Sequence, residues 1–134
     1  MLTQILEIRV RYGETDQMSY VYYGNYAQYF EMGRVEWLRN LGVSYKSMED
    51  DGIMLPVLDL SIKYLKPAKY DNLLTLKTTL LKIPSVKIEF EFEIFNEENE
   101  LLTTGYTKLV FIDRKKNKPT RCPQFLIEKI TPLF

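Results

Sequence analysis

The chain has 134 residues, with 18 basic and 18 acidic side chains and a formal net charge of zero. One domain, residues 1–134, is predicted, because a chain of this size buries enough surface to form a core without a disulfide. The balanced charge argues against nucleic acid as a partner, so any anionic ligand needs a local basic patch. The absence of histidine excludes Ser-His-Asp and Cys-His catalytic systems and most metal centres, so we expect no metal site and no cofactor.

Cysteine content and the N-terminal residues indicate the compartment. Cys122 is the only cysteine, so no intrachain disulfide can form, and a reducing, cytoplasmic setting is expected. The first residues carry charges at Glu7, Arg9 and Arg11 and lack the apolar stretch of a secretory signal. No window approaches the roughly 20 apolar residues of a membrane span, so no stable membrane insertion is expected.

The first third of the chain predicts one strand and two helices. Apolar and polar residues alternate over 5–12, which predicts a strand, and residues 13–16 break the pattern. A long helix is predicted over 24–41, because aromatic and other apolar residues recur there at helical spacing. A second, short helix over 44–51 would begin with Ser44 as its N-cap.

Four strand patterns follow the helices. Residues 58–64 and 86–94 alternate with a period of two, 74–83 is rich in Leu and Thr, and 103–112 is apolar on both faces. Short turns, including one over 67–72, join these patterns, which favours antiparallel neighbours over parallel strands with helical crossovers. The sequence therefore predicts an α+β domain in which a curved five-stranded antiparallel sheet wraps one long helix.

The segment 11–31 holds the most unusual combination of residues. On local grounds, Asp16 before the long helix is more typical of a turn residue or helix cap than of a catalyst. The helix start nevertheless presents unpaired N–H groups, at Tyr23 or Gly24, which suit an oxyanion. A carboxylate beside them could attack a carbonyl or activate water. Gly24 could let a ligand approach the backbone, although a simple turn residue explains its position equally well.

Positive charge is concentrated in residues 114–121, which hold three lysines and two arginines. A solvated turn after the last strand is the simpler interpretation, and a clamp for phosphate groups is the functional one. Lys66, Lys69 and Lys87 are weaker candidates for the same role. The sequence contains no P-loop, dinucleotide-binding, zinc-protease, EF-hand or nucleophile-elbow motif that would favour another chemistry.

Residues spread over most of the chain resemble a known family. They are Arg11-Tyr12, Thr15-Asp16, Val21-Tyr22, Asn25-Tyr26, Glu31, Arg34, the stretch 64–68, Asp71, Asp113, Lys116, Lys118 and Pro119. From about Ile8 to Pro123 the chain resembles the 4-hydroxybenzoyl-CoA thioesterase family, which has the hotdog fold and includes YbgC-like acyl-CoA thioesterases. The resemblance implies hydrolysis of an acyl-CoA to a free acid and CoA, with CoA as part of the substrate.

The resemblance also implies roles for individual residues. Asp16 corresponds to the family's nucleophile or general base, and the backbone N–H of Tyr23 or Gly24 would polarise the thioester carbonyl. The candidate substrate contacts are Ser19, Tyr26, Lys66, Ser85 and Lys87. The family usually has glycine at the position of Ser19 and often histidine at that of Tyr23, so this chain departs from the pattern in its catalytic loop.

A homo-oligomer is expected, either a dimer or a homotetramer built as a dimer of dimers, because pairing of sheet edges would cover an exposed strand. Two alternatives to an acyl-CoA thioesterase remain open at this point. One is a thioesterase that acts on acyl groups bound to acyl carrier protein. The other is a non-catalytic hotdog domain that binds acyl-CoA.

Overall fold

The computed structural model describes residues 2–134. Its long strands are β1 (Thr3–Arg9), β3 (Val57–Tyr64), β4 (Leu73–Leu80), β5 (Lys87–Phe95) and β6 (Leu101–Val110). Three two-residue strands, β2 (Ile53–Met54), β7 (Ile112–Asp113) and β8 (Lys118–Pro119), form a small second sheet. The helices are α1 (Tyr26–Asn40), α2 (Tyr45–Asp50) and α3 (Gln124–Ile130).

The five long strands form one antiparallel sheet in the order β1-β4-β5-β6-β3, and α1 lies against its inner face. The helix packs on β1 and β4 at one side. In the middle, Phe30 stacks on Phe92 of β5 with 4.4 Å between ring centroids. At the other side, Tyr26 meets Tyr64 of β3 edge-on at 5.2 Å. Because α1 contacts strands from one edge of the sheet to the other, the predicted helix wrapped by a five-stranded sheet is confirmed.

Two glycines allow α1 to approach the sheet closely. A Cβ atom at Gly33 would overlap the Thr78 hydroxyl, and one at Gly105 would overlap the ring of Phe30. Side chains at these positions would push the helix away from the sheet. The contact between helix and sheet therefore depends on missing side chains as well as on apolar ones.

Several predicted elements are confirmed with shifted ends. The first strand ends at Arg9, three residues before its predicted end. The long helix begins with a 3₁₀ turn over Tyr23–Asn25 and ends at Asn40. Ser44 caps α2 as predicted, since its hydroxyl accepts a hydrogen bond from the Ser47 amide at 3.0 Å. Helix α3 was not predicted, although Leu126 and Ile130 bury its inner face.

The prediction that the strands joined by 67–72 are neighbours is wrong. Strand β3 pairs with β6, whereas β4 pairs with β1 and β5, so two strands separate β3 from β4. The linker forms other pairings. The Ala68 carbonyl accepts from the Val21 amide at 2.8 Å, and Lys69 forms a β-bridge with Tyr20. The linker therefore supports the loop that carries Asp16.

Within residues 2–134, no helix has both the length and the apolar composition needed to cross a membrane. The core is one cluster of buried side chains that lies between α1 and the sheet and also includes Met48 of α2 and Leu126 and Ile130 of α3.

Candidate active site

Asp16 lies in a tight hairpin between β1 and α1. Thr15 and Val21 form an antiparallel bridge at its base. The Asp16 amide donates to the Tyr20 carbonyl at 2.8 Å, and the Asp16 carbonyl accepts from the Ser19 amide at 3.0 Å. Backbone bonds on both sides of Asp16 therefore fix the position of its side chain. We call residues 14–22 the catalytic hairpin, after the role that the family resemblance implies for Asp16.

The two oxygens of the half-buried Asp16 carboxylate have different surroundings. Oδ1 accepts hydrogen bonds from the amides of Met18 at 2.8 Å and Tyr20 at 3.2 Å. Oδ2 accepts none from the residues that the structure describes. The turn-forming role expected on local grounds is thus performed by one oxygen. The other oxygen is available to a ligand.

Ser19 has the backbone conformation that its position requires. Its φ angle is 65°, in the left-handed region that glycine occupies without steric cost. A serine in this region costs about 1–2 kcal/mol. The departure at Ser19 from the family's usual glycine therefore leaves the left-handed turn in place and adds strain to it.

Glu14 connects the catalytic hairpin to the start of α1. Its carboxylate accepts from the Arg11 amide at 2.8 Å and from the Tyr29 hydroxyl at 3.0 Å, and it forms an ion pair with the Arg11 guanidinium at 3.1 Å. Its backbone carbonyl accepts from the Tyr22 amide at 2.9 Å and from the Asn25 side chain at 2.8 Å. Five contacts at one residue hold the hairpin and the helix together.

The surroundings of Glu14 favour the ionised carboxylate, which is the form that accepts these hydrogen bonds. Burial raises the pKa of Glu14, but hydrogen bonds from Arg11 and Tyr29 outweigh that effect, so the pKa lies below its ordinary value. Burial and the Glu14 charge raise the pKa of Tyr29. A carboxylate therefore faces a neutral hydroxyl donor at neutral pH. The role of Glu14 was not predicted, although an Arg and a Glu three residues apart before a helix were visible in the sequence.

The start of the long helix has the free donors that were predicted. The amides of Tyr23 and Gly24 donate to no acceptor among residues 2–134, whereas the next amide, that of Asn25, donates to the Tyr22 carbonyl at 2.9 Å. Such unpaired N–H groups at a helix start favour an oxygen that carries negative charge. The Tyr22 amide, just before these donors, donates to the Glu14 carbonyl, and the Asp16 amide donates to the Tyr20 carbonyl. The free donors therefore belong to the same hydrogen-bonded unit as Asp16.

The space beside Gly24 is occupied. A Cβ atom at Gly24 would lie 2.9 Å from the ring of Tyr22. The missing side chain thus makes room for the ring of Tyr22 on that side of the backbone, and the approach of a ligand to Gly24 stays a prediction. The Gly24 amide itself remains unpaired within residues 2–134.

Aromatic rings surround the catalytic hairpin at the surface. The exposed tyrosines are Tyr12, Tyr22, Tyr23, Tyr64 and Tyr70. Tyr22 and Tyr23 lie 4.7 Å apart between ring centroids, and Tyr12 meets Tyr70 edge-on at 5.7 Å. Tyr26, a predicted substrate contact, is only 2% exposed and packs behind this surface against Tyr64.

The other predicted substrate contacts lie at two ends of the sheet. Lys66 follows β3, at the end near the catalytic hairpin, and forms an ion pair with Glu100 at 2.5 Å. Lys87 is opposite Val110 at the far end of β6, and Ser85 is beside it. A ten-residue strand is about 30 Å long. One chain therefore does not bring Ser85 and Lys87 to Asp16.

The basic run 114–121 contains the hairpin turn between β7 and β8, strand β8 itself and the two residues after it. Its side chains are exposed except for the half-buried Thr120, and the Asp113 carboxylate accepts from the amides of Lys115 and Lys116 at its turn. The solvated turn expected as the simpler interpretation is present. The hairpin lies at the far end of the sheet, since Cys122, just after it, donates its amide to the Ser85 carbonyl at 2.6 Å.

A family model described as the thioesterase-like superfamily matches residues 10–130. YneP of Bacillus subtilis is 35% identical over 113 residues, which cover 84% of this chain and 82% of that protein. The acyl-CoA thioesterase YbgC of Haemophilus influenzae is 30% identical over 118 residues, 87% of this chain and 86% of that protein. The crystal structure of DHNA-CoA thioesterase from Staphylococcus aureus superposes with a TM-score of 0.93 at 39% identity, covering 99% of this chain and 91% of that one.

Proposed function

We propose that Asp16 and the backbone amides of Tyr23 and Gly24 perform the chemistry of this chain, which belongs to the thioesterase-like superfamily and hydrolyses acyl-CoA thioesters. The hotdog fold and the family predicted from residues 8–123 are confirmed. One observation supports the proposed site above all others. The free oxygen of Asp16 and the unpaired amides at the helix start belong to one hydrogen-bonded unit.

The amides and the Asp16 carboxylate would act on the two atoms of the thioester carbonyl group. The amides would hold the carbonyl oxygen and stabilise its negative charge, while Oδ2 of Asp16 acts at the carbonyl carbon. As a nucleophile, Asp16 would form an acyl anhydride and release CoA as thiolate, and water would then hydrolyse the anhydride. As a general base, Asp16 would instead take a proton from the attacking water. A base contributes about 10²–10⁴-fold and an oxyanion donor about 10²–10³-fold, so the reaction needs no histidine.

Strand β3 supports the predicted homo-oligomer. It is an edge of the sheet, and its apolar residues Val57, Leu58, Leu60 and Tyr64 are exposed. The opposite edge, β1, exposes one large apolar residue, Ile5. An exposed apolar edge strand invites pairing with another strand. We therefore place the subunit contact at β3, and the homotetramer and the cytoplasmic location stay predictions from the sequence.

Pairing at β3 would also complete the substrate site. Two copies related by a twofold axis pair their β3 strands antiparallel, so Val57 of one copy lies near Tyr64 of the other. Val57 is opposite Leu109, at the end of the sheet that holds Ser85, Lys87 and the basic hairpin. Each catalytic hairpin would then face basic residues of the partner. Those residues are suited to the phosphates of CoA.

The function is tested by thiol release from a panel of short-chain, long-chain and aromatic acyl-CoA thioesters. The same acyl groups are also presented on acyl carrier protein. We expect turnover of CoA thioesters, with higher kcat/KM than for matched carrier-protein thioesters. Turnover of carrier-protein thioesters alone would contradict the CoA assignment, and tight binding of acyl-CoA without thiol release would show a non-catalytic binding domain.

The subunit contact is tested by placing a charge on each edge strand. Leu60→Lys on β3 should give a monomer with little activity, because pairing of the β3 strands would bury the charge of the lysine. Ile5→Lys on β1 is the matched control and should keep the native oligomer, since Ile5 is 60% exposed on the other edge. Light scattering after size exclusion measures both. An unchanged oligomer in Leu60→Lys, or a monomer in Ile5→Lys, would move the contact away from β3.

A further inference from the structure

The Gly24 amide shares its peptide group with the carbonyl of Tyr23. That carbonyl accepts two hydrogen bonds, one from the Tyr26 amide in the first turn of the helix and one from the Tyr64 hydroxyl at 3.0 Å. A peptide group is planar and trans, so its C=O and N–H point in opposite directions. Holding the oxygen of Tyr23 therefore also sets the direction of the Gly24 N–H.

Tyr64 is far from Tyr23 in the chain and is held in place by the sheet and by the ring of Tyr26. It ends β3, opposite Thr103 of β6, 41 residues after Tyr23 in the chain. Its ring is held edge-on by Tyr26, which is buried in the core. Burial, and then the neighbouring Tyr26 and Tyr23, raise the pKa of Tyr64 above its ordinary value, so the hydroxyl stays protonated as a donor at neutral pH.

We infer that Tyr64 is a positioning residue that aims the Tyr23–Gly24 peptide at the oxyanion, an inference that rests on the proposed function. The hydroxyl has two effects on this peptide group. It fixes the plane, because rotation of the peptide would break the bond to the Tyr23 oxygen. It also polarises the group, because hydrogen bonds in a chain strengthen one another, so the Gly24 N–H becomes a better donor.

Enzyme kinetics test the catalytic consequence. Tyr64→Phe removes the hydroxyl and keeps the ring that packs on Tyr26. We expect kcat to fall by about three- to tenfold, less than the roughly 10²–10³-fold cost of losing an oxyanion donor, because the donor is still present but less well aimed. KM should change by less than about twofold, since the contact matters most in the transition state. Tyr70→Phe, another exposed tyrosine of the same surface, is the control and should keep kcat.

A labelling experiment tests the geometry independently of activity. The chain has two Tyr-Gly pairs, Tyr12-Gly13 and Tyr23-Gly24. Protein with ¹³C-carbonyl tyrosine and ¹⁵N-glycine therefore gives two carbonyl-edited amide signals in an NMR spectrum. In Tyr64→Phe, the Gly24 signal should move and the Gly13 signal should stay, which also shows that the fold is intact.

The outcomes separate this inference from the proposed function. An unmoved Gly24 signal, or a moved signal with unchanged kcat, would overturn the role of Tyr64. A moved signal with lower kcat and unchanged KM would support it. Full activity in Asp16→Asn would instead overturn the proposed function, and the Gly24 signal would still report whether Tyr64 holds the peptide.

Discussion

The catalytic hairpin and the helix–sheet core are stabilised in different ways. In the core, the inner faces of β4 and β5 bury apolar side chains against α1, with Thr78 as a buried polar residue among them. In the hairpin, the chain is held by individual hydrogen bonds at Glu14 and Asp16 and has a strained residue, Ser19. The stabilisation from buried apolar area is spread over many residues of the core. In the hairpin, one substitution removes a specific hydrogen bond and with it the position of the group that the bond holds. Core substitutions should therefore cost stability, and hairpin substitutions should cost activity.

The largest loss of stability is expected from Phe92→Ala. Phe92 is 1% exposed and stacks on Phe30, so its removal leaves a cavity and should cost about 3–5 kcal/mol of unfolding free energy. Phe95→Ala, at the half-buried end of the same strand, is the control and should cost less. Urea unfolding measures both. Equal losses of unfolding free energy in the two variants would break the contrast between core and hairpin. A large loss of activity per folded molecule in Phe92→Ala would also break it.

Glu14→Ala should show the opposite balance. It removes the carboxylate that joins Arg11 and Tyr29, so the hairpin can move relative to the helix start. We expect kcat/KM to fall by about 10–100-fold, because small misplacements of reacting groups are costly. The unfolding free energy should fall by only about 1–3 kcal/mol, the cost of leaving the buried Tyr29 hydroxyl without its acceptor.

Glu7→Ala is the matched control for Glu14→Ala, since Glu7 is exposed on β1. It should change neither quantity. Native kcat/KM in Glu14→Ala would show that the carboxylate does not position the site, and equal effects at Glu7 would show that negative charge alone matters.

Ser19→Gly should give the smallest effect, and it should be a gain. Glycine relieves the strain of a left-handed serine, and part of that gain is offset by the freedom of glycine in the unfolded chain, which leaves about 0.5–1 kcal/mol. Ser61→Gly in β3, where the backbone is extended, should instead lower stability. Thermal unfolding of the two variants checks the opposite signs. A loss of stability in Ser19→Gly would mean that the serine side chain makes a contact worth more than the strain.

The sequence predicted the elements of the core because their patterns are periodic. The alternation over 86–94 corresponds to β5, whose Ile88, Phe90, Phe92 and Ile94 are all buried. The same patterns could not give the strand order. Short turns suggested that β3 and β4 are neighbours, but the turn between them pairs with Tyr20 and Val21 of the catalytic hairpin instead.

The candidate site was predicted in part, for a related reason. Asp16 and the unpaired amides follow from a helix start, which is local in sequence. Tyr64 bonds to Tyr23 across 41 residues and Glu14 to Tyr29 across 15, and no spacing rule connects such pairs. Ser85 and Lys87 lie at the other end of the sheet, so their predicted role depends on a second subunit.

The role of Asp16 is tested most directly by measuring activity and stability together in Asp16→Asn. Asparagine keeps an oxygen that can accept from Met18 and Tyr20, so the hairpin should remain folded. Asp50→Asn, which removes only a surface ion pair with Lys46, is the control.

We expect kcat/KM of Asp16→Asn to fall by about 10²–10⁴-fold on a good acyl-CoA substrate. The unfolding free energy should stay within about 0.5 kcal/mol of the native value, as for Asp50→Asn. Native activity in Asp16→Asn would contradict a catalytic role for Asp16. A loss of activity that a loss of unfolding free energy explains would also contradict it.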